Sequence, residues 1–272
     1  MSERVFKSLT FAAASLTVVL AASFLIVLWF SGFEAWKTFG LKFLFTDVWN
    51  PSSGEFGALG ALSGTLFTSL LALLIATPLA FAAAMWASDA PKWIASPLSR
   101  AMDMLAAIPS VIFGMWGIDF ICPHFGFSLF SASLILSIMI LPYITAVMRD
   151  VITMTPDVLK ESAYGLGATR FEVVKDVILS FGKNGLAGGI FIGLGRALGE
   201  TMAVLFVAGG LNMIPSGLFD GCTTIASALA NDFAEAEGLH RSVLFALGFI
   251  LLMLEFAIQI LAQLYLKRGK IK

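Results

Sequence analysis

Apolar residues in this chain come in long, nearly unbroken runs rather than alternating with polar ones. Six stretches, roughly 9–30, 59–87, 102–121, 127–148, 185–210 and 243–266, each approach or exceed the ~20 residues a helix needs to cross a bilayer. Backbone polar groups in hydrocarbon must be satisfied internally, and runs of this length do so as helices. The pattern therefore predicts an all-α integral membrane protein with six transmembrane helices. A short link containing Pro123, from Cys122 to Gly126, separates the third run from the fourth. The apolar core of the first run exceeds the roughly 7–15 residues of a signal-peptide core, so it reads as a retained anchor.

The polar segments between the runs give an orientation. Thirteen of the 17 Lys and Arg residues fall in one alternating set of connections, which includes both ends and residues 149–184. Only Lys37, Lys42 and Arg241 fall in the opposite set, and Arg196 lies inside a span. The bias of basic residues toward the cytoplasmic side then predicts cytoplasmic termini and a cytoplasmic 149–184 loop. An even number of spans agrees. The expected organisation is an anchor helix and outer segment (1–58), a transmembrane domain (59–266) and a basic cytoplasmic tail (267–272).

Composition narrows the function. Charged residues make up 13% of the chain, against roughly 25% in soluble domains. A net charge of −1 gives no footprint for nucleic acid. Cys122 and Cys222 are a hundred residues apart and read as two unpaired thiols; neither they nor the two histidines show metal-ligand spacing. "FGKNGL" lacks the glycine and Ser/Thr of a phosphate-binding P-loop, and "GLGRALG" misses the dinucleotide spacing and follows no strand. No connection is large enough for a catalytic domain, and no nucleophile–base pair stands out. The chain reads as a non-enzyme with no cofactor of its own; if ATP drives it, another chain binds the ATP.

In the inside loop, "TPDVLKESAYGLGATRFEVVKDVILS" (155–180) carries helix signals. Thr155 is the expected N-cap, Pro156 the first helical residue, and Asp157 suits the positive helix end. Gly165 and Gly167 can end the helix, which should run over about 156–165. Phe171, Val174, Val177 and Ile178 then form a second amphipathic stripe.

The loop resembles the EAA loop of ABC-importer permeases. Glu161-Ser162-Ala163 is followed at the family spacing by Gly167 and then by Val177 and Leu179, with Ser180 where the family has proline. "GTLFTSLLALLIATPLAFAAAMW" (64–86), "AAIPSVIFGMWG" (106–117) and "GRALGETMAV" (195–204) are similar to the phosphate-specific members of that family. The resemblance spans roughly 56–266. It implies a type I ABC-importer permease fold with a cytoplasmic coupling helix, in which Glu161, Ala163 and Gly167 contact a separate ATPase. It also implies the partners: a second permease subunit, paralogous or identical; an ATPase dimer that binds ATP and Mg; and an extracytoplasmic phosphate-binding protein. Read this way, the chain is the permease of an ATP-driven phosphate importer. The alternatives are an ABC permease for another oxyanion, such as tungstate or molybdate, and a secondary anion transporter.

On a continuous helix over 185–210, Gly185, Gly189, Gly193, Arg196 and Glu200 share a face about 80° wide. Glycines at four-residue spacing let another helix approach. Arg196 would sit roughly 16 Å into the span, where a lone arginine costs about 2.5–3.5 kcal/mol on insertion scales. Glu200, one turn on, is the expected partner. Either the pair is a structural register pin, or Arg196 faces a wet path and meets an anion, for which its planar fork is suited. Thr65, with Thr68 and Ser69, either lines that path or bonds to backbone. At Ile108-Pro109-Ser110, proline either kinks the third span or opens a half-helix whose free N–H groups, at Ser110, attract an anion. Pro78 should kink the second span. Asp103 and Asp119 read as solvated helix ends. Glu255 and Gln259 read as a polar helix contact, with Glu255 a second candidate partner for Arg196. The aromatics Phe33, Trp36, Phe39, Phe43 and Trp49 are expected at the membrane interface or beneath a delivery protein.

Overall fold

The computed structural model of the protein describes residues 3–268. Five of its helices are long and apolar enough to span a bilayer, and a bent pair makes a sixth crossing if counted as one. The all-α membrane fold is as expected. In chain order the elements are α1 (Glu3–Ser31), α2 (Phe33–Phe39), a 3-10 turn (Gly40–Phe45) and a small antiparallel hairpin of β1 (Trp49–Asn50) and β2 (Glu55–Phe56). Then come α3 (Leu59–Asp89), α4 (Lys92–Ala107), α5 (Ser110–Phe120), α6 (Cys122–Phe125), α7 (Leu129–Thr153) and α8 (Asp157–Gly165). The chain finishes with α9 (Arg170–Leu198), α10 (Met202–Val207), α11 (Ile225–Asp232) and α12 (Gly238–Arg268).

α7 is the central helix; α3, α4, α5, α9 and α10 all pack on it. Its Ile135, Ile140, Ile144, Met148 and Ile152 are fully enclosed. Lipid tails are as apolar as leucine, so helices associate here through close van der Waals contact, and small residues permit it. α3 supplies them at four-residue steps: Gly64, Thr68, Ala72, Ala76, Ala80 and Ala84 are buried, and the helix continues through Pro78. α9 brings its glycines to α7. A Cβ on Gly185 would lie 2.5 Å from Val151, and one on Gly193 would lie 2.6 Å from Ile144. One on Gly189 would lie 3.3 Å from Val147.

α1 is peripheral. It packs on α12 and α2, and among its described residues only Leu28 is buried. Beside it a second, aromatic core forms where the 3-10 turn and hairpin fold onto the start of α12. Phe43 and Phe56 are buried there with Val243, Leu244 and Leu247, and Trp36, Phe39 and Trp49 pack against them. Of the five outer aromatics, Trp36, Phe39 and Phe43 pack on one another and Trp49 packs on Phe56, while Phe33 stays exposed.

Two spans are broken. The interruption expected at Ile108-Pro109-Ser110 is present: α4 and α5 meet at 95° there. The span over 185–210, expected as one helix, is not continuous, since α9 ends at Leu198 and α10 begins at Met202. The short helices that follow the two breaks, α5 and α10, pack on each other. Gly114 lets α5 approach Phe206 and Ala203, and Gly117 fits against Val207 and Ile135. Of the basic tail 267–272, residues 269–272 lie outside the described residues.

Candidate functional site

Arg196 lies in the last turn of α9, with its side chain exposed. A helix C-terminus presents unpaired carbonyls and partial negative charge, which suits a cation. Glu200 lies beyond the break and is buried, only 7% exposed. Its Oε1 accepts a long hydrogen bond, 3.5 Å, from the backbone N–H of Ala203 in the first turn of α10. A carboxylate is favoured at a helix N-terminus for the converse reason. Each charge is thus matched to its own half-helix end. The expected Arg196–Glu200 ion pair is absent from the described residues. The physical reason is the break itself: the i, i+4 geometry holds only on a continuous helix.

Arg196 lies over an aromatic ring instead. Its guanidinium carbon lies 4.7 Å from the centroid of the Tyr143 ring on α7. Glu255 of α12 also approaches the break, with its Oε1 3.2 Å from where a Cβ on Gly199 would stand. Glycine at 199 leaves room for that carboxylate. Glu255 makes no ion pair with Arg196 among the described residues, and Gln259 is exposed. Tyr143 carries no signal in the sequence, because its proximity to Arg196 is created by helix packing alone.

Thr65 does not line a path. It is 1% exposed, donates to the carbonyl of Ala61 at 2.7 Å and accepts from the N–H of Ile225 at 2.9 Å. It fastens α3 to the start of α11, and a buried hydroxyl satisfied twice in this way is structural. Ser110 opens α5 and is half-buried; Pro109 is the N-cap, with extended backbone. Asp103 and Asp119 are exposed.

The 149–184 loop forms a second site. α8 starts one residue later than expected, with Pro156 as N-cap; Thr155 is buried with its hydroxyl unpaired and does not cap. The helix stops at a glycine-dependent turn. Ala168 N–H donates to the Ala163 carbonyl and Gly167 N–H to that of Tyr164, with Gly167 at φ +87°. This is the paired-bond terminus that a glycine at that position permits. No residue of α8 is buried. Val158, Leu166 and Phe171 are 71%, 91% and 74% exposed, Glu161 is exposed and Ala163 half-buried. Arg170 ties the loop to the end of α3 through Asp89 at 2.6 Å. Thr169 and Glu172 cap the start of α9 reciprocally.

Comparison with known proteins gives the same kind of molecule. Residues 76–270 match the family described as binding-protein-dependent transport system inner membrane component. The phosphate transport system permease protein PstC of Pasteurella multocida (strain Pm70) is 43% identical, over 98% of this chain and 92% of its own. The PstC of Haemophilus influenzae is 42% identical, over 98% and 93%. A probable PstC of Methanocaldococcus jannaschii is 31% identical, over 97% and 94%. Among solved structures, a chain of the inward-facing MetNI methionine ABC transporter superposes with a TM-score of 0.62 at 19% identity, over 78% of this chain and 94% of that one. A chain of a bacterial ABC transporter involved in alginate import gives 0.62 at 18% identity, over 98% and 99%. The fold is that of type I ABC-importer permeases. With a family match over most of its length and relatives aligned nearly end to end, this chain belongs to the binding-protein-dependent transport system inner membrane components, the multi-pass permease subunits of ABC importers.

Proposed function

We propose that the chain is a permease subunit of an ATP-driven importer of inorganic phosphate. The observation that carries the reading is the exposed Arg196 guanidinium at a break in an otherwise apolar span. Placing such a group at the middle of a membrane helix costs about 2.5–3.5 kcal/mol on insertion scales. A planar fork of N–H donors matches phosphate oxygens in pairs. The relatives named above are phosphate permeases and align across this whole region.

In this reading the chain works beside a second permease, paralogous or identical. An ATPase dimer holds ATP and Mg and docks on α8 and the turn after it, where Val158, Leu166 and, at the start of α9, Phe171 are uncovered. Glu161, Ala163 and Gly167 form that contact: Gly167 ends the docking helix, and Arg170–Asp89 carries its displacement into α3. Both termini are cytoplasmic, and a phosphate-binding protein delivers its cargo at the opposite face. Closure of the ATPases switches the path between inward- and outward-open states, and phosphate passes Arg196 on the way. Lipid covers α1. The chain does no covalent chemistry.

The test is phosphate uptake by vesicles carrying the assembled importer. Arg196→Gln should reduce uptake by about 100-fold, of the order of one lost charge-assisted contact, while the ATPase still co-purifies. Near-normal uptake in that variant would remove the anion role. Stimulation of ATP hydrolysis by molybdate or tungstate in place of phosphate would favour the other-oxyanion reading. Uptake that persists without the ATPase would favour a secondary transporter.

A further inference from the structure

We propose that Tyr143 is the positioning residue that presents Arg196 to the anion. The inference rests on the reading that Arg196 meets phosphate. Tyr143 is half-buried on α7 and reaches the last turn of both α4 and α9, each just before a break. Its ring carries the Arg196 guanidinium at 4.7 Å, at the end of α9. Its hydroxyl donates to the carbonyl of Ala106 at 3.0 Å, in the last turn of α4. That carbonyl is one of the four at a helix end with no helical partner. The tyrosine therefore satisfies an orphaned acceptor beside Pro109 while holding a cation beside Gly199.

The choice of partner has a chemical consequence. An aromatic face attracts a cation through its quadrupole and takes no hydrogen bond in return. The Tyr143 hydroxyl spends its hydrogen on the Ala106 carbonyl, and Arg196 meets the face of the ring. A carboxylate in the same place would occupy two of the five guanidinium N–H donors. Resting on Tyr143, Arg196 keeps its charge stabilised and its donors open, so an arriving oxyanion displaces no carboxylate. Glu200, turned toward the N–H of Ala203, stays out of competition.

The test uses the assembled importer with inorganic phosphate as the probe, and reads uptake, phosphate moved per ATP hydrolysed, and co-purification of the ATPase. Tyr143→Phe and Tyr143→Trp keep a ring and should stay within about threefold of wild type in phosphate moved per ATP. Tyr143→Leu removes the ring and should lower that ratio about tenfold, in line with a partly desolvated cation–π contact. A purely structural role would lower uptake and hydrolysis together and leave the ratio unchanged, which would overturn the proposal. Equal losses in the Phe and Leu variants would overturn it too, by assigning everything to the hydroxyl. If Tyr143→Leu does not assemble, Tyr143→Met, unbranched and adaptable, makes the same comparison. Full uptake in Arg196→Gln brings down the underlying reading. An inactive Arg196→Gln beside a fully coupled Tyr143→Leu brings down the Tyr143 proposal alone.

Discussion

The two helix breaks do the same geometric task by different means. At Ile108–Pro109 the cause is covalent. Proline has no N–H, fixes its own φ near −65° and pushes the residue before it out of helical space. Ile108 is accordingly extended, at φ −68° and ψ 128°, and the chain turns through 95°. At Gly199–Thr201 nothing forbids a helix: Gly199 has φ −89° and ψ 2°, and no positive φ is used. This break is sustained by its surroundings. Glu255 approaches Gly199, Glu200 bonds forward to Ala203, and Thr201 bonds back to the Gly199 carbonyl at 3.3 Å. Local side-chain bonds of this kind compete with helical ones. One break is built into the backbone and is stiff; the other is held by contacts that a moving helix can exchange.

That contrast can be broken or sharpened by mutation. The largest effect should come from the packing both breaks depend on. In Gly193→Leu the new side chain meets Ile144, whose Cδ1 lies 2.6 Å from the place even a Cβ would take. Overpacking costs about 1–3 kcal/mol, and recovery of the detergent-solubilised chain as a monodisperse species should fall sharply. Next, Pro109→Ala should leave the chain folded but remove the covalent cause of the bend. Phosphate uptake should drop by tenfold or more, and spin labels at the ends of α4 and α5 should move apart. Wild-type label distances would show that tertiary contacts alone hold the first break as well. Gly199→Ala should act more mildly, about threefold on uptake, because the group it meets is the far end of the Glu255 side chain, 3.2 Å away. The smallest effect belongs to Asp89→Asn. Its pair with Arg170 is exposed, and such pairs contribute about 0–1 kcal/mol. Thermal stability should barely change, and any loss should appear in ATPase-coupled uptake.

What is legible in the sequence follows the same division. Long apolar runs specify membrane helices whatever their neighbours, so the fold class and the approximate spans can be read directly. α8 can be read as well, because a helix stop followed by Gly167 is a local backbone requirement, met here at φ +87°. Its start reads one residue early: Thr155 has the chemistry of an N-cap but is buried, and Pro156 takes the cap position. The second break is invisible, since "RALGETMAV" holds no proline and a single glycine is tolerated in a helix. Drawn as continuous, the stretch makes partners of Arg196 and Glu200, which the break separates. Thr65 stays ambiguous in the sequence because a hydroxyl facing water and one donating to the carbonyl four residues back look alike there. The outer aromatics, taken one by one, suit the interface, whereas the hairpin register, Trp49 opposite Phe56, gathers them into a core. α1 and α7 each hold a long apolar stretch of 18 residues, yet 6% of that stretch is buried in α1 and 61% in α7. Hydropathy cannot tell a lipid-facing helix from a central one.

The most direct test of the central claim, an Arg196 side chain offered to water at the broken span, is thiol labelling of Arg196→Cys in the assembled importer. Cys122 and Cys222 are both buried and unpaired, so the wild-type chain serves as background. A cationic methanethiosulfonate should modify the introduced thiol from the aqueous phase, be slowed by phosphate, and restore part of the lost uptake by returning a positive charge. An introduced thiol that stays unreactive both without nucleotide and with ATP bound would contradict the claim.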